Sequence, residues 1–498
     1  MSYLIDGKEF YQLRDERVIE DEVLSAKMFA ISRVCPERPD ANSSGYEWSE
    51  MGMANLFGEV YAEEVRYCPE HKAWYIFHGG AWRRDSGAIL VSEKIKEFVR
   101  LMGIYCNEIE DAELRKNYSR FVKKLEDRRM RDRILKDATG ELCIHAAAFD
   151  AKPHLINCLD GTFDLNTLVF YEAKWDDFLT MQTRFEGARF GRSKCEIWEK
   201  FISEVTQDDE DKADFLQRAL GYSMLGTSNE ECMFILHGKT TRNGKSTLLR
   251  AIEYLLGDYS TTAPVGMICR GDRRKDAEAP SPMLAGLKGK RFVTMAESNA
   301  YGKLDEEQIK QLTGGEEISA RALFESPVTF LPQFTLWLSC NDLPMVTDAS
   351  LFASNRIKVI EFNRHFKPEE QDVQLKHKLT QPEAMEGIFE WLVNGYIKYQ
   401  LHGLTMADSL VEVIKKYEED NDVVLRFLNA RCERKADGRI RIRDLFKAYQ
   451  RWARAEQEVL LTNKQFRAEI DRHSDAYERK GVLDGYPTIY GLALKESL

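Results

Sequence analysis

The sequence predicts an α/β fold: a parallel-sheet core carrying a phosphate-binding loop, an α+β region before it and a winged helix-turn-helix after it. Three observations predict it. Residues 232–247 read as strand, glycine-bounded loop and helix. Three further apolar strands follow, at 290–297, 334–340 and 357–362, each flanked by a polar or charged residue. The last ninety or so residues combine two apolar-striped helices with a hairpin signal.

In the first of these, the run Met233 to Leu236 leads to Gly238, and a polar loop closes on Gly244, Lys245 and Ser246. Leu248, Leu249, Ile252, Leu255 and Leu256 then recur at helical spacing, with Gly257 at the C-cap position. Glycines let backbone N–H groups turn towards a phosphate, and the helix N-terminus adds its positive dipole end. Lys245 is placed to reach β- and γ-phosphates and Ser246 to ligate Mg²⁺. Gly238, Thr241, Arg242, Asn243, Gly244, Lys245, Ser246 and Thr247 are the expected nucleotide contacts. Five residues separate the two glycines, where the usual loop has four.

The second strand, Lys290 to Glu297, ends in a carboxylate. Beside a phosphate loop such a group holds Mg²⁺ or polarises the attacking water. Residue 296 is alanine, so Glu297 alone covers roles often shared by two acids. The third strand, Phe334 to Cys340, runs into Asn341, Asp342 and Pro344; an amide there suits a γ-phosphate sensor. Asn355 and Arg356 precede the fourth.

The 498 residues suggest three or four domains, and 43% apolar content is ample for packed cores. A net charge of −11 excludes a wholly basic nucleic-acid coat but not a local basic channel. The ten cysteines include no Cys-x-x-Cys pair, and Cys68 with His71 is at most half a zinc site, which favours reduced thiols. No signal segment or membrane-length apolar run is apparent, giving an expectation of a cytoplasmic protein that does not contact a membrane.

Residues 1–190 are the expected N-terminal α+β domain. Residues 66–84 read as a hairpin around Gly79 and Gly80, its aromatics Trp74, Tyr75 and Trp82 favouring core over base stacking. Residues 111–136 read as one basic helix, striped by Leu114, Tyr118, Phe121, Val122 and Leu125; its charges suit a solvated face or a phosphate-binding one equally. Residues 154–180 look β-rich. Asp160 and Asp164 are too isolated to make a nucleotidyl-transfer site.

The order of motifs resembles the superfamily-three helicases, and most closely the phage and plasmid replication proteins related to the poxvirus primase-helicase. The resemblance rests on 238–247, 288–297, 310–315 with Arg321, 334–344 and 355–362, and more weakly on residues 50–185. It implies a ring of AAA+ modules, usually a hexamer, in the segment 195–400, with ATP between subunits and movement 3′ to 5′ on single-stranded DNA. It implies roles for Lys245 and Ser246 on phosphate and Mg²⁺, for Glu297 as the Walker B acid, for Asn341 as sensor and for Arg356 as an arginine finger. Arg321 and Phe324 fall on its pore hairpin, where Glu325 replaces an expected cation. A phage-encoded relative would work in the bacterial host cytoplasm.

Residues 405–498 are the expected third domain. Leu445, Phe446, Tyr449 and Trp452 stripe one helix, Thr462 caps the next, and residues 481–494 form a hairpin around Asp484 and Gly485. Lys464 and Arg467 would project outward as DNA contacts; docking to a protein is the other reading of this unit. Three functions stay open: a replicative helicase acting on single-stranded and forked DNA, an origin-binding or loading ATPase, and a primase-helicase. The candidate partners are thus a replication-origin duplex, a primase or polymerase, and further copies of the chain.

Overall fold

The computed structural model describes residues 46–187, 191, 194–269, 281–296, 303–321, 327–346, 350–456 and 458–495, together with residues 2–5, 8–11, 27, 30 and 31. Five parallel strands form the central sheet: β1 Met233–His237, β2 Ser260–Thr262, β3 Phe292–Ala296, β4 Thr335–Cys340 and β5 Ile357–Glu361. Their order is β2-β3-β4-β1-β5. The chain leaves β1 for the far edge, returns through β3 to β4, then crosses to β5 on the other side. The order therefore reverses around β1, and ligands of open parallel sheets sit beyond the carboxyl ends of strands at such a reversal.

Both faces of β1 are covered, as a parallel sheet requires. Phe234 and Leu236 pack towards helices α1 Glu196–Thr206, α2 Glu210–Tyr222, α3 Lys245–Leu256 and α4 Pro382–His402. Met233 and Ile235 face the opposite core with Ile309, Leu312, Leu338 and Val359. Phe234 stacks on Trp337 with ring centres 4.4 Å apart, and the Trp337 indole donates to Ser223 Oγ at 3.0 Å. The paired aromatic burial and the satisfied N–H fix how the sheet sits on the helices above it.

Helices α2 and α4 cross at two glycines. A Cβ on Gly221 would lie 2.2 Å from the Tyr396 N, and one on Gly395 2.1 Å from the Gln217 carbonyl oxygen. Gly395→Ala is expected to force the helices apart and cost about 1–3 kcal/mol, read as a lower thermal melting midpoint of the full chain. A midpoint equal to wild type would show that the crossing yields without cost.

In the N-terminal region, the hairpin expected around Gly79 and Gly80 is present and gains a third strand, Val65–Cys68, and Trp74, Tyr75 and Trp82 are buried in the sheet. The single basic helix expected over 111–136 is instead two, Ala112–Leu125 and Arg128–Glu141. Asp127 makes the break: its carboxylate accepts from Arg129 N at 2.8 Å and caps the second helix. Residues 155–171 form a small antiparallel sheet whose Ile156 and Phe163 join the α1–α4 side of the core. Buried Arg291, just before β3, joins this region to the core: it donates to the carbonyls of Met224 (2.8 Å) and Leu155 and lies over the Tyr259 ring at 4.4 Å.

Helix α5, Asp408–Asn421, falls in the stretch expected to be a separate third domain, yet it docks on the core. Its Tyr417 is buried beside Phe352, and Val346 N donates to Asn421 Oδ1 at 2.7 Å. The compact C-terminal unit gathers after it: α6 Val423–Arg431, β6 Cys432–Arg441, α7 Ile442–Ala455, α8 Asn463–Arg472, β7 Arg479–Leu483 and β8 Tyr486–Leu494. Leu445, Tyr449 and Trp452 are buried as expected, and Thr462 caps α8 through a reciprocal pair with Gln465. The hairpin gains a third strand, β6, giving the order β6-β8-β7.

Asp422 closes this unit. It caps α6 through Val424 N and Leu425 N, and His473 Nε2 lies 2.7 Å from its other oxygen. The hydrogen bond to Asp422 raises the His473 pKa against its partial burial. Burial pushes Asp422 up, but His473 and the helix N–H groups outweigh it and hold its pKa below the ordinary value. The histidine's contribution is complete below its unfolded pKa and is lost as pH rises through its raised folded value. The aspartate's contribution is present above its unfolded pKa and is lost on acidification through its depressed folded value. Stability of this unit should therefore plateau between about pH 4 and pH 6.5 and fall on either side. His473→Gln should flatten the alkaline limb of a melting-midpoint profile; an unchanged limb would assign that dependence to other groups.

Candidate functional site

The loop after β1 forms at the carboxyl end of the strand where the sheet order reverses. Arg242 adopts φ +57 and Gly244 φ +91, so the longer loop turns through two left-handed residues before α3 begins. Asn243 is 5% exposed, and its amide donates to the Thr240 carbonyl at 2.6 Å and the Gly238 carbonyl at 3.4 Å. It braces the loop from within. A Cβ on Gly238 would stand 2.5 Å from both Asn243 Nδ2 and the Phe362 carbonyl oxygen, so the backbone comes too close for any other residue.

Lys245 is 4% exposed. Its ammonium donates to the Gly238 carbonyl at 2.9 Å and to Asn341 Oδ1 at 3.1 Å. Asn341 follows β4, whose last residue Cys340 pairs with His237 of β1. Two residues nearly a hundred positions apart thus meet at one strand-end crevice. Ser246 is exposed on the first turn of α3, and Thr241 and Arg242 are exposed on the loop, with Thr247 half-buried. No side chain caps α3 at Gly244, which leaves its leading N–H groups to the crevice. A buried ammonium, uncapped helix N–H groups and an exposed hydroxyl fit a nucleoside triphosphate with Mg²⁺. Glu297, one residue beyond β3, lies outside the described residues, as does Phe324.

The segment after β5 closes the crevice from the other side. Phe366 N donates to the Arg242 carbonyl at 3.0 Å, and His365 Nδ1 sits 2.9 Å from the Thr241 carbonyl. That carbonyl can only accept, so the Nδ1 carries the proton. Sequence reasoning missed both contacts, and no spacing signal marks them.

Arg356 stands at the opposite end of the sheet, immediately before β5, where its carbonyl accepts from Met233 N at 2.8 Å. Its guanidinium, 15% exposed, pairs with Glu231 Oε2 at 2.5 Å and Thr313 Oγ1 at 2.9 Å. It therefore does not join Lys245 and Asn341 within one chain. Arg321 is exposed directly after the first strand of an antiparallel pair, Ile318–Ala320 with Val328–Phe330, at the end where the two strands connect. Beside that hairpin a cleft of about 790 Å³, lined among others by Lys72, Arg84, Lys288 and Phe330, contains no residue of the phosphate loop. Lys464 and Arg467 are exposed on α8.

The Cys68 thiol bonds Glu70 and the His71 ring bonds Tyr75. No described helix is long and apolar enough to cross a membrane.

Residues 54–207 match the family described as "D5 N terminal like", and residues 236–356 match a family of unknown function, DUF5906. A protein of Acanthamoeba polyphaga mimivirus named as an inferred helicase is 26% identical over 454 residues, covering 82% of this chain and 46% of its own length. One from Invertebrate iridescent virus 3, named likewise, is 24% identical and covers 74% of this chain and 43% of its own. The chain thus spans under half the length of these relatives. The apo structure of the NrS-1 C-terminal region superposes with a TM-score of 0.49 at 12% identity, over 88% of this chain and 99% of that one.

Proposed function

We propose that the chain is an ATP-driven DNA helicase subunit with an AAA+ core of the superfamily-three type and a C-terminal winged helix. The observation that carries this reading is the convergence of buried Lys245 with Asn341 across adjacent strand ends, at the point where the sheet order reverses. The helicase names of the viral relatives and the D5-like match over 54–207 support it.

A bound Mg²⁺–ATP supplies the scissile phosphoanhydride bond. The residues of the chain do the rest. Lys245 gives up its carbonyl and amide partners to neutralise phosphate charge, and Ser246 offers its hydroxyl to the cation. Asn341, released from Lys245, is left at the crevice mouth with an amide to orient the attacking water. Glu297 would serve as the acid beside it. Arg356 is too far along the sheet for its own loop and would act on a neighbouring copy, in the head-to-tail contact that closes a ring. The hairpin carrying Arg321 would touch the strand being moved.

A forked DNA duplex with ATP and Mg²⁺ tests this. Wild type should separate the strands and Lys245→Ala should not; equal behaviour of the two would remove the helicase reading. The exposed Lys464 and Arg467 on α8 favour a second reading, an origin-binding or loading ATPase. In that case duplex binding would persist in Lys245→Ala and no strand separation would occur.

A further inference from the structure

The outer face of the C-terminal sheet carries a cation–aromatic surface that none of these roles uses. Register places Arg439, Tyr490 and Arg479 in one row across β6, β8 and β7. The next row on the same face holds Arg441, Thr488 and Gly481, and Tyr486 lies one further step along β8. The Arg479 guanidinium carbon sits 4.4 Å from the Tyr490 ring centre, and that of Arg441 4.4 Å from the Tyr486 ring centre. Arg439, Arg441, Arg479 and Tyr486 are exposed.

The opposite face is closed. Ile489 is fully buried with Tyr449 of α7 and with Phe466 and Ile470 of α8. Gly491, at φ +83, then bends β8 so that Leu492 also turns into this core; a Cβ there would strike Glu478 N at 2.7 Å. Helices α7 and α8 therefore cover one side of the sheet, and the Arg–Tyr pairs occupy the other.

A guanidinium held over a tyrosine ring is ordered on one flat side and keeps its other side and N–H edges outward. That combination stacks an unpaired base and bonds the adjoining phosphate. The two pairs are four residues apart on β8, about 13 Å along the strand, which accommodates a short extended run of nucleotides. Duplex DNA keeps its base faces inside and offers nothing for the planes to stack on. The charge is complementary as well: three arginines share this face, while Asp484 approaches Arg441 only to 3.8 Å with both side chains well exposed.

We propose that this sheet face binds single-stranded nucleic acid, on the side of the C-terminal unit away from α8. The inference rests on the nucleic-acid reading of that unit and not on the ATP site, so it is tested on the full chain without nucleotide. Fluorescence anisotropy would follow a labelled oligothymidylate and a blunt duplex, with melting midpoints confirming that each variant is folded.

R441E/R479E should weaken oligothymidylate binding about tenfold or more, and reduce the log–log salt slope by about 1.4, at roughly 0.7 for each phosphate no longer neutralised. Its duplex affinity should stay within about twofold of wild type. R441K/R479K, which keeps charge without the flat plane, should retain the slope but bind the oligonucleotide more weakly. K464E/R467E should impair duplex binding preferentially. Wild-type oligothymidylate affinity in R441E/R479E, or equal weakening on both substrates, would overturn the inference; unchanged binding in K464E/R467E as well would overturn the nucleic-acid reading of the whole unit.

Discussion

Lys245→Ala is expected to lower ATP turnover by about a hundred- to a thousand-fold, the usual cost of removing one preorganised donor from a site of developing negative charge. The lysine is buried at the focus of the crevice, on the first residue of α3, with its ammonium on the Gly238 carbonyl and Asn341 Oδ1. These two acceptors are neutral, and Asn341 is exposed, so water can replace the ammonium there. Folding stability should change by about 1 kcal/mol or less. Phosphate release together with binding of a fluorescent nucleotide separates the outcomes. Turnover within threefold of wild type would show that the crevice is not the hydrolytic site.

The loop was legible because everything that makes it is local: an apolar strand, glycines at the turn and a helix whose stripe begins at Leu248. Its fifth intervening residue was visible too, but not how it is accommodated. That depends on Arg242 entering the left-handed region and on Asn243 bonding back to Thr240 and Gly238. The apolar strands could be read in sequence, whereas their spatial order depends on crossovers that no window of residues records.

Polar elements were harder. β6 holds Glu433, Arg434, Lys435, Ala436 and Asp437 in succession, with no alternation to mark a strand; pairing with β8 defines it. The docking of α5 rests on Tyr417 meeting Phe352, a contact between distant parts of the chain. Likewise Glu231 and Thr313 hold the Arg356 guanidinium from two separate segments; Glu231 lies in no motif, and the 310–315 stretch that holds Thr313 gives no sign of this contact.

Arg356 is where a ring can be distinguished from an independently acting subunit. Ile357 pairs with Met233 at the start of β1, while the phosphate loop leaves the other end beyond His237. About 13 Å of strand separates the two levels, so the guanidinium cannot reach its own crevice. Arg356→Ala should therefore reduce turnover about a thousandfold while leaving nucleotide affinity nearly intact. The partner left behind, Glu231, is half exposed, so removing the pair should cost under about 1 kcal/mol. Mixing supplies the decisive arm. Lys245→Ala and Arg356→Ala subunits are each inactive alone, yet in a mixed ring some contacts join an intact loop to an intact arginine. At equal proportions about one contact in four is complete, and turnover should recover towards that fraction of wild type. If Arg356 merely ties β5 to Glu231 within its own chain, the mixture stays as inactive as its components and Arg356→Ala lowers the melting midpoint instead.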